Sequence, residues 1–141
     1  LLEHSEPALY ALEQKLRMEL SSKVLLISVL GSATNQNLLN QIFREHSVQT
    51  VFHAAAYKHV PLVEENPLAG LINNVFSTRF ICSAAIATGV SEVILISTDK
   101  AVRPTNVMGA TKRLAELVVQ ASAAEVITNT FKQKRVHLNQ L

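Results

Sequence analysis

Short apolar runs of strand length alternate with stretches of helical periodicity along most of this chain. Residues 5–20 place Leu9, Leu12, Leu16 and Leu20 among charges, the spacing of one helix face. Residues 23–30 read as a buried strand, and residues 35–46 as a helix with Leu38, Leu39, Ile42 and Phe43 inward. Thr50, Val51 and Phe52 form a short strand that runs into His53-Ala54-Ala55-Ala56. Asn66-Pro67 opens a long helix to about Thr88, and Gly89 is its natural stop. Residues 91–97 give the next strand, and a helix capped near Asn106 runs to about Ala123. Helix-sized crossovers between apolar strands specify an α/β fold with a doubly wound parallel sheet.

Ligands of open α/β sheets bind outside the carboxyl ends of the strands. There the sequence places Ser97-Thr98-Asp99-Lys100, directly after the apolar run Val93-Ile94-Leu95-Ile96, followed by Met108-Gly109-Ala110-Thr111-Lys112. Asp99 and Lys100 beside Thr98 can serve as general acid and base if their surroundings tune them, or form an exposed ion pair of little energetic worth. Lys112, four residues after Met108, shares its helix face; spacing alone favours a surface lysine. His53 has no His, Cys or carboxylate partner at metal-ligand spacing, so no metal site is expected. Three small residues after His53 allow a ligand close to the backbone or a tight turn. Tyr57-Lys58-His59 lies on the same edge.

The totals narrow the class. With 48% hydrophobic and 17% charged residues among 141, the chain has a core and is not disordered. Thirteen basic and 11 acidic side chains, net +2, argue against nucleic acid or a membrane surface as partner. The basic cluster Lys132, Lys134, Arg135 reads as a solvated face. The single cysteine, Cys82, reads as a core residue in a reducing compartment. Four glycines, Gly31, Gly70, Gly89 and Gly109, form no GxGxxG phosphate loop.

Taken in order, residues 51–64, Asn74-Val75 and residues 95–116 resemble the nucleotide-sugar branch of the extended short-chain dehydrogenase/reductase superfamily. Within it they resemble most the UDP-N-acetylglucosamine 4,6-dehydratase group of bacterial polysaccharide biosynthesis proteins. The resemblance covers about residues 1–121 and fades over 122–141, a divergent tail expected to be helical or irregular. It implies a Rossmann-like domain truncated at both ends, without its first glycine-loop βα unit and without its substrate domain. It also implies NAD in preference to NADP, a UDP-sugar substrate, a homo-oligomer, and a cytoplasmic site in a parent that is anchored to the membrane in the large members.

Roles follow from the same resemblance. Glu3 stands where an acid holds the adenosine ribose, and Ala54, Ala55 and Ala56 where the backbone passes the cofactor phosphates. Tyr57 and Lys58 lie toward the nicotinamide ribose and the substrate. Thr98 matches the catalytic Ser/Thr, with Ser97 beside it on the cofactor side. Lys112 matches the lysine of YxxxK, and Met108 takes the tyrosine position, as in the large membrane-anchored members. Asp99 and Lys100 match the acid and base that remove water, and Asn106 lines the sugar-nucleotide pocket. The implied reaction oxidises sugar C4, eliminates water across C5 and C6, and returns hydride to C6. A thioether cannot exchange a proton, so Thr98, Lys100 or a water must replace the tyrosine. An epimerase or reductase of the same superfamily would instead keep that tyrosine and dispense with Asp99-Lys100. The third reading is a non-catalytic binding or assembly remnant. Without a phosphate loop this chain alone is expected to be inactive, and uncovered strand edges invite self-association.

Overall fold

The computed structural model of the chain describes residues 1–138, with side chains through residue 128. Among them the order is β1 (Leu2–Glu3), α1 (Glu6–Glu19), β2 (Val29–Leu30), α2 (Gln36–Glu45), β3 (Thr50–His53), α3 (Val60–Glu65), α4 (Pro67–Leu71), α5 (Ser77–Thr88), β4 (Glu92–Leu95) and α6 (Val107–Leu138). A π-helical turn, Ile72–Phe76, joins α4 to α5, and a 3-10 turn, Asp99–Ala101, precedes α6. All pairing is parallel, β1 with β2 and β3 with β4, in two separate two-stranded sheets. The expected parallel α/β architecture is therefore present, as a partial sheet.

Local signals explain the helix limits. Asn35 caps α2 by accepting the Leu38 N–H at 3.1 Å. Gly89 ends α5 at φ 77°, a left-handed conformation that costs other residues. The core lies where α2 meets α5: Leu39 and Phe43 pack with Ile81, Ala84 and Ala85, and Leu2, Val51 and Val93 bring in the strands. Cys82 is a buried free thiol beside this core.

Three expectations need correction. Of residues 23–30 only Val29 and Leu30 are strand, and Leu25 is 83% exposed. Their one neighbour is the two-residue β1, and a strand becomes buried only with partners on both edges and layers on both faces. The long helix is interrupted at Ile72–Phe76, where the hydrogen-bond pattern widens. The short helix α3 carries no periodicity long enough to be read. The last helix continues past Ala123 to Leu138. The basic cluster Lys132, Lys134 and Arg135 lies outside the described side chains, and residues 139–141 outside the described residues altogether.

Leu39 is 1% exposed at the centre of the α2–α5 contact. Leu39→Ala is predicted to cost about 2–5 kcal/mol, the range for emptying a rigid core site. Urea denaturation should show the midpoint falling without a change of slope, whereas Leu12→Ala, at an exposed position of α1, should shift it by no more than roughly 1 kcal/mol.

Candidate active site

β3 and β4 pair in register from Thr50 opposite Glu92 to His53 opposite Leu95. The ladder closes with the Ile96 N–H donating to the His53 carbonyl at 3.0 Å. Beyond it, residues 54–58 and 97–100 leave the sheet at one edge. Helix α6 starts across that edge. Asn106 Oδ1 caps it by accepting the Gly109 N–H at 2.7 Å, and Glu64 Oε1 accepts the Val107 N–H at 2.6 Å.

Between these segments lies a cavity of about 340 Å³. Ala54, Ala56, Tyr57 and Lys58 line it from the β3 side, Ser97, Thr98 and Lys100 from the β4 side, and Met108 and Lys112 from α6. Lys112 is buried and donates from Nζ to the Ile96 carbonyl at 2.6 Å. Burial lowers its pKa, and the Glu116 carboxylate opposes that shift. Ser97 gives its proton to Glu116 Oε1 at 2.5 Å, which, with Arg113, holds that carboxyl below its ordinary range. The spacing-based preference for a surface Lys112 is thus corrected, because i,i+4 spacing carries no information about what lies opposite the helix.

The other expected residues are distributed unevenly. Asp99 is exposed beside the cavity. Its Oδ1 accepts the Thr98 hydroxyl at 2.9 Å and the Lys100 N–H at 2.9 Å, and lies 3.5 Å from Lys100 Nζ. The Thr98 hydroxyl, then the Lys100 charge, hold its pKa low. Asn106 does not line the cavity; its Oδ1 is committed to the α6 cap. Glu3 and Ala55 line a second cavity, between the two sheets. Glu3 Oε1 accepts the Ser5 N–H at 2.8 Å and lies 2.9 Å from His4 Nδ1.

Three supporting residues were not recognised from sequence as such. Buried Asn74 uses its whole hydrogen-bonding capacity: Oδ1 accepts the Tyr57 N–H at 2.7 Å and the Asn73 amide at 3.2 Å, and Nδ2 donates to Tyr57 O at 3.0 Å and Thr111 Oγ1 at 2.9 Å. It ties the 54–58 loop to α6. Gly109 is the second: a Cβ there would collide with the Lys100 carbonyl, a backbone atom. Its bareness lets α6 seat against the 3-10 turn. His53 is the third. Its Nε2 lies 3.0 Å from Thr78 Oγ1 and 3.3 Å from Ser77 Oγ. Both hydroxyls give their protons to helix carbonyls, of Asn74 and Asn73, so Nε2 must be the donor. Burial, then the Lys112 charge, push its pKa down to about 4. The asparagine pair in Ile72-Asn73-Asn74-Val75 is the one sequence signal that could have flagged this network.

The chain matches the family described as "Polysaccharide biosynthesis protein" over residues 1–137. It belongs to that family. It is 40% identical over 121 residues to "Capsular polysaccharide biosynthesis protein CapD" of Staphylococcus aureus, covering 86% of this chain and 20% of the relative. It is 39% identical over 111 residues to "UDP-glucose 4-epimerase" of Rickettsia canadensis, covering 79% of this chain and 32% of that protein. Among solved structures, Pen from Bacillus thuringiensis superposes with TM-score 0.76 at 31% identity, over 86% of this chain and 36% of that one. The chain thus spans about a fifth to a third of the curated relatives' length, and its fold is Rossmann-like. Among the described residues no helix is long and apolar enough to cross a membrane.

Two predictions follow from the site's supports. His53 titrates near its ordinary 6.5 when unfolded and near 4 when folded. The unfolded chain therefore binds more protons between these values, and stability falls as pH drops through that window. Denaturation at pH 7 and pH 5 should differ by roughly 2 kcal/mol, and His53→Gln should flatten that difference; an equal loss in the variant would assign it elsewhere. At Gly109, alanine ordinarily favours a helix by about 1 kcal/mol. Here the blocked Lys100 carbonyl reverses the sign, and Gly109→Ala should destabilise by about 1–3 kcal/mol, with the largest amide shifts at residues 99–101.

Proposed function

We propose that this chain is the catalytic part of the cofactor domain of an NAD-dependent nucleotide-sugar 4,6-dehydratase. The longer protein would convert UDP-N-acetylglucosamine to a UDP-4-keto-6-deoxy sugar for surface polysaccharide. The observation that carries this reading is the convergence of Thr98, Lys100, Met108 and Lys112 on one cavity with Ala54, Ala56 and Lys58.

The residues fit the two riboses of the cofactor. Lys112, held by Ile96 O, would meet the nicotinamide ribose, the small Ala54 and Ala56 leave room for a close approach, and Glu3 would offer its carboxylate to the adenosine ribose. The pyrophosphate between them does not fit within this chain. Side chains of Leu38 and Val63 meet a Cβ at Gly31 and Gly70, the Lys100 carbonyl meets one at Gly109, and Gly89 ends α5. None of the four glycines is left to cradle a phosphate. The chain alone should therefore not complete the reaction, and the 1–121 unit would work only within the longer protein.

Bound NAD supplies a hydride acceptor for sugar C4 and returns a hydride at C6. The protein's part is proton movement. Met108 can neither give nor take a proton. Thr98 already donates its proton to Asp99, and Asp99 is held ionised, ready to receive it. Thr98 Oγ1 would take the C4 hydroxyl proton as its own passes to Asp99. Asp99, now protonated, gives that proton to the C6 hydroxyl, which leaves as water. Lys100, as the free amine, takes the C5 proton, acidified by the C4 ketone, and gives it back to C5 as the hydride reaches C6. The low pKa of Asp99 keeps it ionised before the first transfer and makes it a strong acid after it.

The test uses the full-length protein with UDP-N-acetylglucosamine. Mass spectrometry should show a product lighter by one water, and Lys100→Met should lower its rate by about 10²–10⁴, the range for a lost acid or base. Asp99→Asn, which can neither receive the Thr98 proton nor protonate the leaving hydroxyl, should lose reduced nicotinamide and product together. A product of unchanged mass would instead establish an epimerase, the reading favoured by the resemblance to the Rickettsia protein. Conversion by the isolated chain would overturn its predicted inactivity; native mass spectrometry of that chain with NAD and the UDP-sugar should find it largely empty.

A further inference from the structure

Helix α6 holds the β4 exit with two side chains one turn apart. Lys112 Nζ donates to the Ile96 carbonyl at 2.6 Å, and Glu116 Oε1 accepts the hydroxyl of the next residue, Ser97, at 2.5 Å. Residues four apart share a helix face, so a cation and an anion grip consecutive residues of one exit. The other carboxylate oxygen, Oε2, accepts from Arg113 at 2.8 Å. Ser97 has one proton and gives it to Glu116, so its oxygen meets the cavity as an acceptor. Lys112 is buried, and it shares that cavity with two further amines, Lys58 of the 54–58 loop and Lys100 of the 3-10 turn, and with the Tyr57 phenol. His53, on β3, has a pKa of about 4 and carries no charge at neutral pH. Asp99 is exposed, 3.5 Å from Lys100 Nζ. Glu116 is the carboxylate whose charge acts on Lys112, although Glu116 itself does not line the cavity.

We propose that Glu116 is a positioning residue of this site: from behind the cavity wall it fixes Ser97 as an acceptor and Lys112 as a cation. A buried ammonium that shares a cavity with two others gives up its proton readily unless an anion stands close by. Glu116 is that anion, one helical turn away. The Arg113 guanidinium draws on the same carboxylate, so the charge that Lys112 feels is set by the two together. The wall then offers a donor and an acceptor on neighbouring residues of one exit. That arrangement suits adjacent hydroxyls of a sugar, each able to give and to accept. A neutral Lys112 would fill the same space without holding a charge beside the ligand. The consequence for catalysis rests on the proposed dehydratase reading; the charge state of Lys112 does not.

The experiment follows the lysine ¹³Cε signals of this chain by NMR through the alkaline range, with Lys112→Arg to identify the Lys112 signal. Glu116→Gln keeps the shape and an acceptor for Ser97 but loses the charge. In that variant the Lys112 midpoint should fall by about 0.5 pH or more, and Glu116→Asp should restore most of it. Arg113→Gln, at an exposed position, should move the midpoint the other way. An unmoved midpoint in Glu116→Gln overturns the proposal. If that variant does not fold, a midpoint that fails to rise in Arg113→Gln overturns it. In the full-length protein, the alkaline limb of the rate with UDP-N-acetylglucosamine should move down with Glu116→Gln; a rate lowered equally at every pH would mean a structural role and overturn the proposal. If no dehydrated sugar forms at all, the dehydratase reading falls and the titration still decides the role of Glu116. Dehydrated product with an unmoved midpoint leaves that reading standing and overturns this one.

Discussion

Parallel pairing of β3 with β4 brings two chain exits, distant in sequence, to one edge, and every candidate catalytic group depends on that adjacency. The ladder alone would leave the exits splayed. Two further contacts close them: Lys112 Nζ on the Ile96 carbonyl, and the Lys100 carbonyl against the bare Cα of Gly109. Both hold α6 by backbone atoms of the β4 exit. The lysine expected to act in the site is therefore also one of the bonds that builds it. Replacing it would remove a charge and loosen the helix together, so loss of activity in a Lys112 variant would not by itself assign a chemical role.

The parts of the fold legible in the sequence were those whose signal is local. Asn35, Gly89 and Asn106 marked helix limits because caps act within one turn. The four-residue strands around Val51 and Val93 were legible because their apolar runs pair with each other over nearly their whole length. Residues 23–30 carry an equally strong apolar pattern, yet most of them stay out of the sheet. Strand propensity measures fit to a half-buried pleated surface, and that surface has to be supplied by neighbours. The π turn at Ile72–Phe76 was hidden for a related reason. Its widening coincides with Asn74, Ser77 and Thr78 turning inward to Tyr57 and His53, a tertiary demand that helical periodicity does not record.

The candidate site divides along the same line. Thr98 and Lys100 were visible as a polar run directly after an apolar one, whereas Met108 and Lys112 were assigned only through the family resemblance. Asn74 was not assigned a role, although it holds more of the site's geometry than any of them. A buried asparagine with all four bonds satisfied resembles an ordinary helix residue until its partners are known. Its preference for one arrangement is strong. An unsatisfied buried amide costs roughly 1–3 kcal/mol, so the 54–58 loop is held near α6 at Tyr57. The walls of the cavity are consequently fixed by residues that need never touch a substrate.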